Sequence, residues 1–190
     1  AKFRKVAEKN AKWRSHIALS GIPMVGLDPS LVLTYRDEYL HILGEKELPF
    51  KVMLPQEFLV LNSAKHIKYA LAETDKLQNY QLLGHCTEKT DAQLSQKQWQ
   101  EVFEKFGLSL NLIPAGCCGM AGTYGHETEH YAESRGIYDL SWSDKIPQDP
   151  FLRQNILTTG FSCRSQVKRF EGFRPLHPLQ VLLREIKTAS

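Results

Sequence analysis

The chain has 190 residues, 42% of them apolar, enough to bury one core of ordinary domain size. Its 24 Lys and Arg are scattered among 21 Asp and Glu for a net charge of +3, which excludes the basic stripe of a nucleic-acid binder. No apolar run approaches the roughly 18 residues of a membrane span, no secretory signal is visible, and four cysteines are too few for a disulfide scaffold, so a reduced, cytoplasmic setting, at most peripheral to the inner face of a membrane, is expected.

The sequence starts without Met and already in helical rhythm, as a piece of a longer polypeptide would. Phe3, Val6, Ala7, Trp13 and Ile17 share one helical face, and Gly21 is a natural stop. "IPMVGL" reads as a buried strand, and "DPS" as a turn that caps a helix running through "LVLTYRDEYLHIL" to Gly44. A long helical segment, "LPQEFLVLNSAKHIKYALAETDK", has Pro55 in its first turn. "YQLLGH" is strand-like and ends at Cys86. An amphipathic helix with Leu94, Trp99, Val102, Phe103 and Phe106 on one side closes at Gly107. "LSLNLIP" and "NILTTG" are further strands, and "HPLQVLLREIK" is a last helix.

Short apolar runs alternating with helices predict an α/β fold, a layered, mainly parallel sheet flanked by helices with Rossmann-like crossovers. In such a sheet ligands bind beyond the carboxyl ends of the strands. All four cysteines fall there: Cys86 after the second strand, Cys117 and Cys118 after the third, Cys163 after the fourth. Gly116, Gly119, Gly122 and Gly125 allow positive φ and close backbone approach, and a helix expected after them would aim amide donors at sulfur. Four thiolates suit tetrahedral zinc or an iron-sulfur cluster equally well.

His85, His126 and His130 are candidate extra ligands or proton relays, with surface or capping roles as the alternative. His126 is the best placed of them. Glu127, Glu129 and Glu133 read as a solvated helix face. Arg164 and Lys168 either balance an anionic cluster or pair with acidic neighbours.

"GHC" at 84–86, "GCCGMAG" at 116–122 and "TGFSCRSQ" at 159–166 resemble the cysteine-rich CCG domain of heterodisulfide reductase and of the iron-sulfur subunits of glycolate oxidase and anaerobic glycerol-3-phosphate dehydrogenase. "GTYGHE" and "CRSQ" are most similar to the fused class, in which an FAD-linked oxidase domain, a ferredoxin-like domain and this domain share one chain akin to D-lactate and D-2-hydroxyglutarate dehydrogenases.

The resemblance implies a 4Fe–4S cluster, or zinc in a docking module, held by Cys86, Cys117, Cys118 and Cys163 with His126 nearby. Gly116, Gly119 and Arg164 would line the cofactor, and FAD would sit on a domain absent from this chain. It implies electron transfer from flavin to an unnamed acceptor, with the isolated chain inactive, or else a thiol/disulfide site at Cys117 and Cys118. Two tandem copies are usual, so residues 1–70 are expected to be the tail of a degenerate first copy with connecting helices, and 71–190 a complete second copy. The sequence departs from the family pattern at Leu31, which stands where a first-copy cysteine would be, and at Gln166, where the pattern closes with a second cysteine.

Overall fold

The computed structural model describes residues 2–66 and 79–185. The first part holds α1 (Lys2–Leu19), β1 (Met24–Val25), α2 (Pro29–Arg36), α3 (Glu38–Leu43), β2 (Val52–Met53) and α4 (Pro55–His66). The second holds β3 (Asn79–Leu83), α5 (Cys86–Asp91), α6 (Ser95–Lys105), β4 (Ser109–Leu112), α7 (Tyr131–Ser141), α8 (Pro150–Arg153), β5 (Ile156–Thr158), α9 (Phe161–Glu171) and α10 (Pro178–Glu185). Among the described residues every strand pair is parallel, in keeping with an α/β fold. The strands nevertheless form two sheets: β1 pairs with the unanticipated β2, and the larger sheet has the order β4-β3-β5.

Side-chain alternation in the larger sheet builds two cores. Tyr80, Leu82, Leu110 and Leu157 face Trp99, Val102 and Phe103 of α6 and Val181 and Leu182 of α10. Leu83 and Ile156 face Tyr138 of α7, Trp142 just beyond its end and Val167 of α9, together with Cys118 and Cys163. Each such fully buried side chain contributes about 1.5–3 kcal/mol. Because the chain leaves β3 for β4 through α6 and returns to its other side through α7, strand order reverses at β3. The crevice at its carboxyl end is where such folds bind ligands.

Two expected helices differ from the structure. The helix expected to run to Gly44 breaks at Asp37 (φ −126°, ψ −75°) into α2 and α3. The break is held by long-range contacts: Arg36 Nη1 donates to Glu57 Oε1 at 2.9 Å and Nη2 to the Val52 carbonyl at 2.9 Å, while Tyr35 and Tyr39 pack edge to face at 4.7 Å. In α1, Ala7 is buried, but Phe3, Val6 and Trp13 stay exposed, Trp13 at 62%. α4 starts at Pro55 as expected. The reading of its continuation past residue 66, like that of the last helix past 185, falls outside the described residues.

At the start of α10, His177 is only 8% exposed, edge-on to Trp99 at 5.7 Å, and its Nδ1 accepts from Leu179 N–H at 3.2 Å. Burial, reinforced by the Arg164 charge and opposed by Asp28, lowers its pKa from 6.5 to about 4. Between these two values the unfolded chain binds a proton that the folded chain refuses, so stability rises with pH across that window and is lost as pH falls through it. Taking the protein from pH 7 to pH 4 is expected to remove about 3 kcal/mol through this group. Urea unfolding of the parent and of His177→Leu across that range checks it, since an equal loss in the variant would remove His177 from the account.

Candidate functional site

β3 delivers His85 and Cys86 to the start of α5. His85 caps that helix: its Nδ1 accepts from Thr87 N–H at 3.3 Å, so Nε2 carries the ring hydrogen, 3.2 Å from Ser162 Oγ. Glu88 reaches back to His85 N–H at 3.0 Å, completing a capping box. The same oxygen accepts the Thr159 hydroxyl, while the other takes Ser95 Oγ at 2.5 Å and Gln56 Nε2 at 3.2 Å. One fully buried carboxylate thereby joins the ends of β3 and β5 to α4 and α6. Cys163 is the third residue of α9, and the sites of Cys86 and Cys163 meet across Gly160. A Cβ at Gly160 would run into the His85 ring and stand 3.3 Å from Cys163 Sγ.

The paired cysteines follow β4. Ser141 holds the Gly116 N–H, and Trp142 Nε1 donates to the Gly116 carbonyl at 3.1 Å, anchoring the loop to the end of α7. Gly119 is left-handed, with φ +83°, and its N–H donates to Cys117 Sγ at 3.3 Å. The expected helix after this turn is absent. Two 3₁₀ turns, Tyr124–His126 and Thr128–His130, come before α7, so amide donors reach sulfur from the turn itself.

All four cysteines are free, with Cys118 and Cys163 buried and Cys86 and Cys117 half-buried. Hydrogen bonds from Cys118 and Cys86 pull the Cys117 thiol far below its usual range against the cost of burial, helped by Gly119 N–H and His85. Cys86 is pushed up by its bond to Cys117 and by burial; Cys118 is pushed up by its bonds to Cys117 and Cys163 and by burial. The thiols thus act on one another electrostatically, with Cys117 favoured and Cys86 and Cys118 disfavoured as the ionised form. Among the described residues, no three or more His, Cys, Asp and Glu side chains are arranged as a coordination shell.

Lys89 supplies positive charge here, donating to the Ala115 carbonyl and acting on Cys86 and Cys163. Arg164 is committed elsewhere, with Nε on the Pro175 carbonyl and Nη2 on Gln180 Oε1, both at 2.9 Å, and Lys168 is exposed. His126 is exposed at the end of its 3₁₀ turn. His130 stacks on Tyr124 at 3.9 Å, and Glu127, Glu129 and Glu133 are exposed. A cleft of about 580 Å³, bordered by Lys89, Gln96, Lys97 and Pro114, touches the outer side of the loop at Ala115 and Gly116.

Sequence reasoning missed Glu88, although a polar residue followed three positions later by Glu is the signature of a capping box. It also missed Lys89, Ser134 and the second role of Asp28. Besides capping α2, Asp28 accepts Phe161 N–H at 2.9 Å, so one carboxylate serves the starts of α2 and α9. Leu31 and Cys163 are each the third residue of those two helices.

The chain is 45% identical over 186 residues to D-2-hydroxyglutarate dehydrogenase of Escherichia coli K12, covering 98% of this chain and 18% of that protein. The enzyme of the same name from Haemophilus influenzae is 44% identical over 191 residues, again with 18% of its length covered. One polypeptide of the anaerobic glycerol-3-phosphate dehydrogenase of Escherichia coli K12 is 26% identical over 196 residues, with 45% of its length covered. The chain therefore spans less than a fifth of the length of these D-2-hydroxyglutarate dehydrogenases. No family model matches it, and no solved structure does.

Proposed function

We propose that this chain is the cysteine-rich, cofactor-holding domain of a larger FAD-linked oxidoreductase that oxidises a D-2-hydroxy acid, and that it serves electron transfer from flavin to an acceptor. The observation that carries the reading is the placement of four free cysteines after three parallel strand ends in a chain 45% identical to a D-2-hydroxyglutarate dehydrogenase. The donor chemistry suits a thiophilic group: four sulfurs, an amide N–H on Cys117, the Lys89 charge nearby and an apolar core behind Cys118 and Cys163.

Cys86, Cys117, Cys118 and Cys163 would hold a 4Fe–4S cluster. When bound, such a cluster supplies one-electron chemistry, beside a flavin on another domain that takes the hydride. To hold such a group the four thiols would have to give up their protons to solvent and present thiolates. Gly119 N–H and Lys89 offset the charge of the bound thiolates, while Trp142 and Met120 keep water from the buried pair.

We also read residues 1–70 as the remnant of a first copy and 71–190 as a complete one, because Asp28 ties two strand–turn–helix units in which Leu31 and Cys163 are equivalent. The reading places the parent polypeptide in a reducing compartment, supported by the free vicinal cysteines. Among the described helices none is long and apolar enough to cross a membrane. A structural zinc site is the second reading, since four cysteine sulfurs are also the full ligand set of one tetrahedral ion with bonds of about 2.3 Å.

Anaerobic purification followed by iron, sulfide and zinc analysis separates the two, because a zinc-thiolate site is colourless and contains no sulfide. Cys117→Ser and Cys118→Ser are each expected to lose most of the bound metal while remaining folded. Full metal content in either variant, with a stability loss of only about 1–3 kcal/mol from a buried hydroxyl, would mean that the pair does not act as two ligands. Turnover of D-2-hydroxyglutarate by this chain alone would overturn the division of labour.

A further inference from the structure

We propose that Gln166 and Ser134 are positioning residues for the paired cysteines, acting through the Gly119 carbonyl. This inference rests on the reading of the four thiols as a metal site. Gln166 lies one helical turn beyond Cys163 on α9 and is 0% exposed, and Ser134 is buried on α7. Gln166 Nε2 donates to Ser134 Oγ at 2.7 Å, and Ser134 Oγ donates to the Gly119 carbonyl at 2.8 Å.

The orientation of the amide follows from proton accounting. A serine hydroxyl has one hydrogen, and here it is spent on Gly119. Ser134 must therefore accept from Gln166, which turns Nε2 toward it and leaves Oε1 sealed from solvent without a hydrogen-bond partner. An unpaired buried carbonyl oxygen is unfavourable, and an apolar side chain at this position would avoid it. What the amide adds is its donor to Ser134.

That donor controls a sulfur. Gly119 is gripped at its carbonyl by Ser134, while its own N–H points at Cys117 Sγ. Rotating this left-handed residue would release both bonds together. The neighbouring backbone is cut to fit the grip: a Cβ on Gly125 would stand 2.8 Å from both the Gly119 carbonyl oxygen and Ser134 Oγ. Because Gln166 and Cys163 share α9, the chain of bonds also places the Cys117–Cys118 turn and the Cys163 sulfur in one frame. Hydrogen bonds to a metal-bound sulfur withdraw electron density and tune the metal. Gln166 and Ser134 would thereby set both affinity and electronic character without touching the metal.

The test uses the 190-residue chain prepared anaerobically, cobalt(II) alone as the probe, and the variants Gln166→Leu, Ser134→Ala and Ser134→Thr. The parent should take up cobalt with a sulfur-to-cobalt charge-transfer band. Gln166→Leu and Ser134→Ala should bind about 10- to 100-fold more weakly, with the band moved to lower energy because the thiolate has lost a hydrogen bond. Ser134→Thr keeps the hydroxyl and should restore both. Gln166→Leu relieves an orphaned oxygen, so its metal-free unfolding midpoint should not fall, which separates positioning from a general loss of structure.

In metal-free protein, exchange of the Gly119 amide proton, followed by NMR, should quicken at least tenfold in both weakened variants. Parental affinity, spectrum and amide protection in Gln166→Leu and Ser134→Ala would overturn the proposal. A parent that takes up no cobalt would sink the metal-site reading, and the Gly119 exchange rates would still decide whether Gln166 and Ser134 hold the turn.

Discussion

Replacing Gly119 by valine is expected to destabilise the protein by roughly 2 to 6 kcal/mol and to abolish metal uptake. Two effects add. A β-branched residue at φ +83° carries strain of about 1–3 kcal/mol. Its Cβ would also collide with the Ser134 carbonyl oxygen and stand 3.1 Å from Gln166 Nε2, forcing α7, α9 or the turn to move at a further cost of about 1–3 kcal/mol. The Ser134 carbonyl is backbone within a helix and cannot swing aside as a flexible side chain would. Any shift takes Gly119 N–H off Cys117 Sγ, so stability and binding should fall together. Thermal unfolding and metal stoichiometry measured on the same preparation check the pairing. A variant with parental metal content would show that the cysteines do not need the left-handed turn.

Glu88→Ala is expected to be as damaging, at about 3–5 kcal/mol, although Glu88 touches no sulfur. Its removal takes the acceptor from four buried donors: the Ser95 and Thr159 hydroxyls are stranded, whereas Gln56 Nε2 keeps Ser95 Oγ and His85 N–H keeps the Thr159 hydroxyl oxygen at 3.1 Å. Each unsatisfied group costs about 1–3 kcal/mol before relaxation, and removing one partner from a buried charged network typically costs 3–5 kcal/mol. Glu88→Gln should cost less, about 1–2 kcal/mol, since hydroxyls can turn to accept from an amide but His85 N–H cannot. The ends of β3 and β5 remain joined by strand pairing and by the His85 N–H to Thr159 bond, so the alanine variant should loosen the start of α5 rather than part the two strands. Urea unfolding of both variants, with the metal content of the glutamine variant, measures this. Equal stability of alanine and parent would show that the carboxylate is merely tolerated.

Much of the architecture was legible because it is written in local periodicity. The short apolar runs "YQLLGH" and "LSLNLIP" predict strands, and their apolar side chains fill the two cores on either side of the larger sheet. Asp28 and Pro55 at helix starts and Gly44 at a helix end act where expected, since caps and breakers work through their own backbone neighbours. Cysteines after strands fall at the carboxyl ends of a parallel sheet whatever the details of packing.

What could not be read that way depends on partners distant in the chain. Trp13 has the spacing of a core residue and stays exposed, because periodicity describes a face without naming what covers it. The helix expected up to Gly44 breaks at Asp37 because Arg36 is held by Glu57 and Val52, contacts no local pattern contains. Arg164 was a plausible counter-charge by its place beside Cys163. The cation acting on the sulfurs is Lys89, since side-chain direction on the two helices turns one toward α10 and the other toward the cysteine loop.

Residue order was therefore sufficient for the α/β class, the strand ends and the cysteines that follow them, all consequences of short-range backbone preference and side-chain alternation. The Glu88 knot and the Gln166–Ser134–Gly119 line arise from contacts between residues 15 to 71 positions apart. Each requires buried polar atoms on separate elements to meet within hydrogen-bond distance. Only the packing of helices on the sheet brings them there, because spacing along the chain carries no information about which donor will face which acceptor.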